Sequence, residues 1–124
     1  MVLSKSQVER LALLSEEMGE AIQAIGKIVR HGYESYNPEV AETPNNRESL
    51  ERELGQVWFA IELLCAVNDL SEERIDDARI SKAHAVWDYL WHQETAKKLY
   101  TRRWPGTMAP VDDGSKEAPC EPGS

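Results

Sequence analysis

Residues 6–31 read SQVERLALLSEEMGEAIQAIGKIVRH, and the spacing within them decides the fold. Ser6, with Glu9 three positions on, matches a capping box, in which the hydroxyl and the carboxylate each take up a free backbone N–H at a helix start. Leu11, Leu14, Met18, Ile22, Ile25 and Val29 then recur at intervals of three and four, as on one apolar face of a helix. Gly32 follows basic Arg30 and His31, the combination expected just past a helix C-terminus. The spacing predicts a helix over about residues 7–31.

Outward from this helix, residues 32–46 (GYESYNPEVAETPNN) hold two prolines and three asparagines without a sustained period. They are expected to form a connecting loop, long enough to serve as a lid. Asn46 is placed to cap a second helix carrying Leu50, Leu54, Val57, Ile61 and Leu64, with an end near Asn68. Ser71 before Glu72 and Glu73 marks a third helical region over 72–103, with a break expected near 80–83. No stretch alternates as a strand, so the fold class is all-α, a bundle of three to four helices per chain. Two strongly apolar stripes in so short a chain are better buried across a subunit contact, which leads to the expectation of a homo-oligomer.

The chain has 124 residues, with 22 Asp and Glu against 14 Lys and Arg, a formal charge of -8. That length suits one domain, over 1–104, followed by a Pro- and Gly-rich acidic tail, 105–124, expected to be disordered. An acidic chain without clustered Lys and Arg has no electrostatic footprint for DNA, RNA or an anionic membrane. Cys65 stands in an apolar run and Cys120 in the tail, contexts too different for a stabilising disulfide. The start MVLSKSQVERLALL lacks the apolar core of a secretory signal, and no run approaches a membrane span. The expectation is a soluble, cytoplasmic protein.

The acids of SEEMGE, residues 15–20, carry the functional signal. Glu17 lies three residues after Leu14 and four before Ala21, at the margin of the apolar stripe, and Glu20 follows on the same side. Glu16 and Glu20 are like-charged neighbours at i,i+4, and no base stands at i+3 or i+4 to relieve any of the three. In the second helix Glu53 and Gln56 hold the same position beside the stripe. Acids on a helix otherwise line a solvated face; facing pairs turned inward need a compensating charge, which a divalent cation supplies. Oxygen donors favour Mg or Mn over zinc.

EExxE in one helix, then a second motif beginning at Glu53, resembles the MazG-like nucleotide pyrophosphohydrolases of the all-α NTP pyrophosphatase superfamily. The flanking EEMGEAIQAIGKIVRHGYESYNP and NNRESLERELGQV are similar to the compact single-domain form of phages and bacteria. The resemblance implies cleavage of a (deoxy)nucleoside triphosphate to monophosphate and pyrophosphate, with two to three Mg2+ or Mn2+ ions. It places metal ligands at Glu17, Glu20 and Glu53, with Glu16 available to a further ion or as the base for water. The family's fourth ligand is Asp; here Gln56 offers a neutral carbonyl oxygen without charge or basicity. The resemblance further implies a tetramer built of two dimers, and a host cytoplasm if the chain is phage-encoded.

An anionic substrate needs cations and stacking surfaces. Lys27, seven residues after Glu20 on its face, is the first candidate for the phosphates, ahead of Arg30, Lys82, Lys97, Lys98, Arg102 and Arg103; each is otherwise an ordinary surface charge. Trp58 is the first candidate to stack on the base, ahead of Phe59, Trp87, Tyr89 and Trp91, all of which otherwise fill core. Asn37 or Asn45, on the loop, would read a base edge, with a purine such as dGTP favoured. The alternative is a helical module that binds a nucleotide or partner and has lost turnover through Gln56.

Overall fold

In the computed structural model, which describes residues 2–108, the chain is all-α and divides between Ser71 and Glu72 into two compact units. The first holds α1 (Lys5–His31) and α2 (Asn46–Ala66); the second holds α3 (Glu72–Ala85), a 3-10 turn (Val86–Tyr89), α4 (Glu94–Arg103) and α5 (Pro105–Met108). Among the described residues there is no strand, and no helix is long and apolar enough to cross a membrane. Cys120 and most of the tail lie outside the described residues.

Caps set the helix starts one or two residues earlier than the spacing predicts. The hydroxyl of Ser4, not Ser6, accepts from Gln7 N–H at 3.1 Å, and Gln7 Oε1 accepts from Ser4 N–H at 2.8 Å. Gln closes a capping box as well as Glu, so the earlier register is available and adds hydrogen-bonded residues. Asn45, not Asn46, caps α2 through the same reciprocal pattern with Glu48. Gly32, at φ 90°, ends α1 in a conformation that a side chain would strain. Asn68, at φ 66°, does the same beyond α2, where Asp69 and Leu70 both donate to the Leu64 carbonyl.

The two helices of the first unit run antiparallel, because the start of α1 meets the end of α2 and the converse. At one end Arg10 pairs with Asp69 at 2.8 Å, both side chains about four-fifths buried. At the other, Arg47 N–H donates to the Tyr33 carbonyl and Asn46 Nδ2 to that of Gly32, while the Arg47 guanidinium covers the Tyr33 ring and pairs with Glu34. Both ends of the 32–45 loop are thereby tied to α2.

The packing corrects the expected core. Buried on the seam are Ala21, Ala24, Ala60 and Leu64, of which Ala60 and Leu64 are fully enclosed. Leu11, Met18, Ile22, Ile25 and Val29 are exposed, Ile22 at 67% and Val29 at 80%. At about 100° per residue these lie roughly a quarter turn from the seam. Leu54 and Trp58 of α2, both exposed, lie a quarter turn from their own seam, on the same side of an antiparallel pair. On α2 the expected stripe does face inward, with Leu50, Val57 and Ile61 part-buried and Leu64 buried; on α1 the inward face is instead the one carrying Ala21 and Ala24, with Leu14 part-buried at its margin.

The second unit is held by aromatic rings. Trp87 donates its indole N–H to the Ala83 carbonyl at 2.6 Å and lies 6.3 Å from Tyr100, which in turn packs 4.9 Å from Trp104. The break in the third helical region falls at 86–93 and not at 80–83. There Trp87 folds back on the preceding turn and Leu90 adopts extended backbone, φ -112° and ψ 135°.

Removing either partner of Arg10 and Asp69 strands a mostly buried charge. Arg10→Ala and Asp69→Ala are each expected to cost about 2 kcal/mol, and the double variant less than their sum. Urea unfolding of the four proteins measures this, and additive losses would show that the pair is not coupled.

Candidate metal centre

Glu17 and Glu20 lie on the face of α1 that carries Ala21 and Ala24, and Glu53 lies on the face of α2 that carries Ala60 and Leu64. They are therefore on the seam itself, further inward than the margin the spacing suggested. Small residues let the backbones approach, and the carboxylates one turn away are carried together. One oxygen from each of Glu17, Glu20 and Glu53 lies within 4.8 Å of the others.

Gln56 completes the cluster. In the orientation that satisfies both partners, its amide NH2 donates to Glu53 Oε1 and to Glu17 Oε1, each at 3.0 Å. A half turn of that amide puts its carbonyl oxygen in the same place. Arg52 reaches Glu53 Oε2 at 3.1 Å, a contact for which the sequence carried no signal beyond adjacency. Glu53 is thus the hub of the cluster, with a side chain only 13% exposed.

The electrostatics are visible in Glu20, whose carboxyl is held protonated to higher pH than usual. The causes are a hydrogen bond with Glu53, partial loss of water, and the charges of Glu17, Glu53 and Glu16. Glu16 is exposed and stands outside the trio, reaching it only as a charge. Three carboxylates and one amide from two helices form an all-oxygen donor set once the amide turns its carbonyl inward. That set fits Mg2+ or Mn2+, and the residual repulsion on Glu20 is what such a cation would relieve.

The remaining candidates stand as follows. Lys27 and Arg30 are exposed on the last two turns of α1, and Trp58 is 69% exposed on α2. Asn37 already accepts from Glu39 N–H at 3.0 Å in its own turn, which leaves only its amide nitrogen uncommitted. Asn45 is spent on the α2 cap and on Glu34. Lys82 belongs to α3 in the second unit. Phe59, Tyr89 and Trp91 are exposed rather than core, and only Trp87 is held within a ring cluster.

A carboxyl held protonated to higher pH by folding binds its proton more tightly in the folded chain, so stability falls as pH rises through its range. Glu20→Gln is therefore expected to melt higher than the parent at neutral pH in EDTA, and equally below about pH 4. Melting curves across pH measure it; a lower neutral-pH melting temperature for the variant would contradict the repulsion.

No family model matches this chain, and no curated protein or solved structure matches it.

Proposed function

We propose that the chain is a MazG-like, Mg2+- or Mn2+-dependent pyrophosphohydrolase that converts a (deoxy)nucleoside triphosphate to its monophosphate and pyrophosphate. The observation that carries this reading is the convergence of Glu17, Glu20 and Glu53 within 4.8 Å across two antiparallel helices, with Gln56 bridging two of them.

Glu17, Glu20, Glu53 and the Gln56 carbonyl would hold the cation. When bound, it supplies charge to the phosphate oxygens and makes an attacking water more acidic. Glu16, exposed beside the cluster and not committed to it, is placed to take the proton from that water. Lys27 and Arg30 extend along α1 from Glu20, and their charges suit the β and γ phosphates. Trp58, largely in water on α2, offers a ring face to a base, and a purine such as dGTP remains the favoured substrate. The role is control of the nucleotide pool, in the cytoplasm.

One observation favours a second reading. The Gln56 amide already satisfies an oxygen of Glu17 and of Glu53, a neutral substitute for part of what the cation would do. On that reading the chain is a nucleotide- or partner-binding module with weakened turnover.

Release of monophosphate and pyrophosphate from the eight common NTPs and dNTPs, with Mg2+ or Mn2+, tests both. Glu17→Ala and Glu53→Ala are expected to lower the rate about a hundredfold or more, and unchanged rates in both would sink the assignment. An inactive parent that gains turnover as Gln56→Asp supports the second reading; a robust parent rate supports tolerance of Gln.

The exposed apolar side formed by Leu11, Met18, Ile22, Ile25, Val29 and Leu54 supports a homo-oligomer, with a tetramer as the proposed state. Light scattering is expected to give a mass of several chains, and Ile22→Asp to reduce it. A monomeric parent would overturn the proposal.

A further inference from the structure

We infer that the cleft between the 3-10 turn and α4 in the second unit binds a planar heteroaromatic ring carrying one anionic group, of which a nucleoside monophosphate is a simple form. The cleft has a volume of about 570 Å³ and lies wholly within that unit, between Trp87 and Lys97. Small-molecule sites commonly have volumes of ~300–1,000 Å³.

Its walls divide the work. Trp87 is fixed, its N–H spent on the Ala83 carbonyl and its ring set against Tyr100. Trp91 is 89% exposed, a large ring face left in water at the cleft's edge. A rigid wall beside a free indole is a stacking platform for a flat ring, and any aromatic base has the face to use it. His92 and Gln93 before α4, and Thr95 in its first turn, also line the cleft, and their imidazole, amide and hydroxyl both donate and accept, as the edge of a heteroaromatic ring requires.

The charge of the ligand follows from α4. Lys97 lines the cleft and makes no ion pair among the described residues, and Gln93 leaves the helix start without a side-chain cap. Glu94 stands in the same lining and brings its formal charge to zero, so an anionic group is held only by the Lys97 ammonium as a local donor. The balance admits one phosphate and opposes a polyphosphate, so stacking on Trp91 carries most of the affinity. This site does not rest on the carboxylate reading of the first unit.

The test uses the full chain in EDTA, following the tryptophan indole N–H signals by NMR during titration with AMP, GMP, adenosine, guanosine or inorganic phosphate. The Trp91 signal is expected to shift saturably with AMP or GMP, and Trp91→Ala to weaken binding about tenfold or more. Lys97→Gln is expected to weaken the nucleotides and leave the nucleosides unchanged, and Glu17→Ala to alter neither. Circular dichroism checks that the variants keep their helices. Absence of saturable shifts up to about 10 mM would overturn the proposal, as would equal affinity in Trp91→Ala. Inorganic phosphate binding as tightly as the nucleotides would reduce the site to an anion contact. A change of assembly mass in Trp91→Ala would assign the ring to a subunit contact, and both results would overturn the proposal.

Discussion

Alanine at 21, 24 and 60 is what the rest of the first unit depends on. Three methyl groups on the seam let α1 and α2 approach closely, and the same approach forces Glu17, Glu20 and Glu53 into a space where their charges repel. Larger apolar residues there would bury more surface and would hold the acids further apart. The seam therefore gives up stability twice, in a thin core and in unrelieved charge. The ends compensate, through Arg10 with Asp69 at one and the tied loop of Gly32 to Arg47 at the other. The middle of the hairpin thus carries unrelieved charge while its two ends are fastened.

The distribution of apolar residues follows from that arrangement. With the seam given to alanine and glutamate, the long aliphatic side chains of α1 have nowhere to go within the hairpin and face outward with Leu54 and Trp58. A helical pair of this size, with Leu64 as its one fully enclosed large residue, buries little for its length. The second unit solves the same problem differently: Trp87, Tyr100 and Trp104 pack in sequence with their rings tilted, and the fold of 72–108 is organised around rings instead of aliphatic stripes.

Gln56 is the point at which structure adds most to the chemistry. As a sequence position it is an amide where the resembled family has a carboxylate, a loss of one charge. In the fold its NH2 reaches both Glu17 and Glu53, so the same group can quiet the cluster without a cation or, turned over, join its oxygen to the donors. A carboxylate could do only the second. Arg52 on Glu53 works in the same direction from outside the seam.

The sequence by itself determined the two long helices and the acids they carry. Period, caps and breakers located α1 and α2 to within two residues, because caps and periodicity are local, and EExxE with Glu53 named the acids that meet. Ser4 against Ser6 and Asn45 against Asn46 were indistinguishable locally, since either register satisfies a first turn. The inward face of α2 was legible in its apolar stripe, whereas tertiary structure alone decided which face of α1 turns inward. Hydropathy ranks side chains by their cost in water, whereas helix approach is set by their size, so the seam went to Ala21 and Ala24 while Ile22 and Val29 stayed outside. It also decided that Glu20 shares a hydrogen bond with Glu53 and that Gln56 bridges two acids. Glu20 with Glu53 and Gln56 with Glu17 are pairs more than thirty positions apart, and no local pattern encodes the distance between two helices.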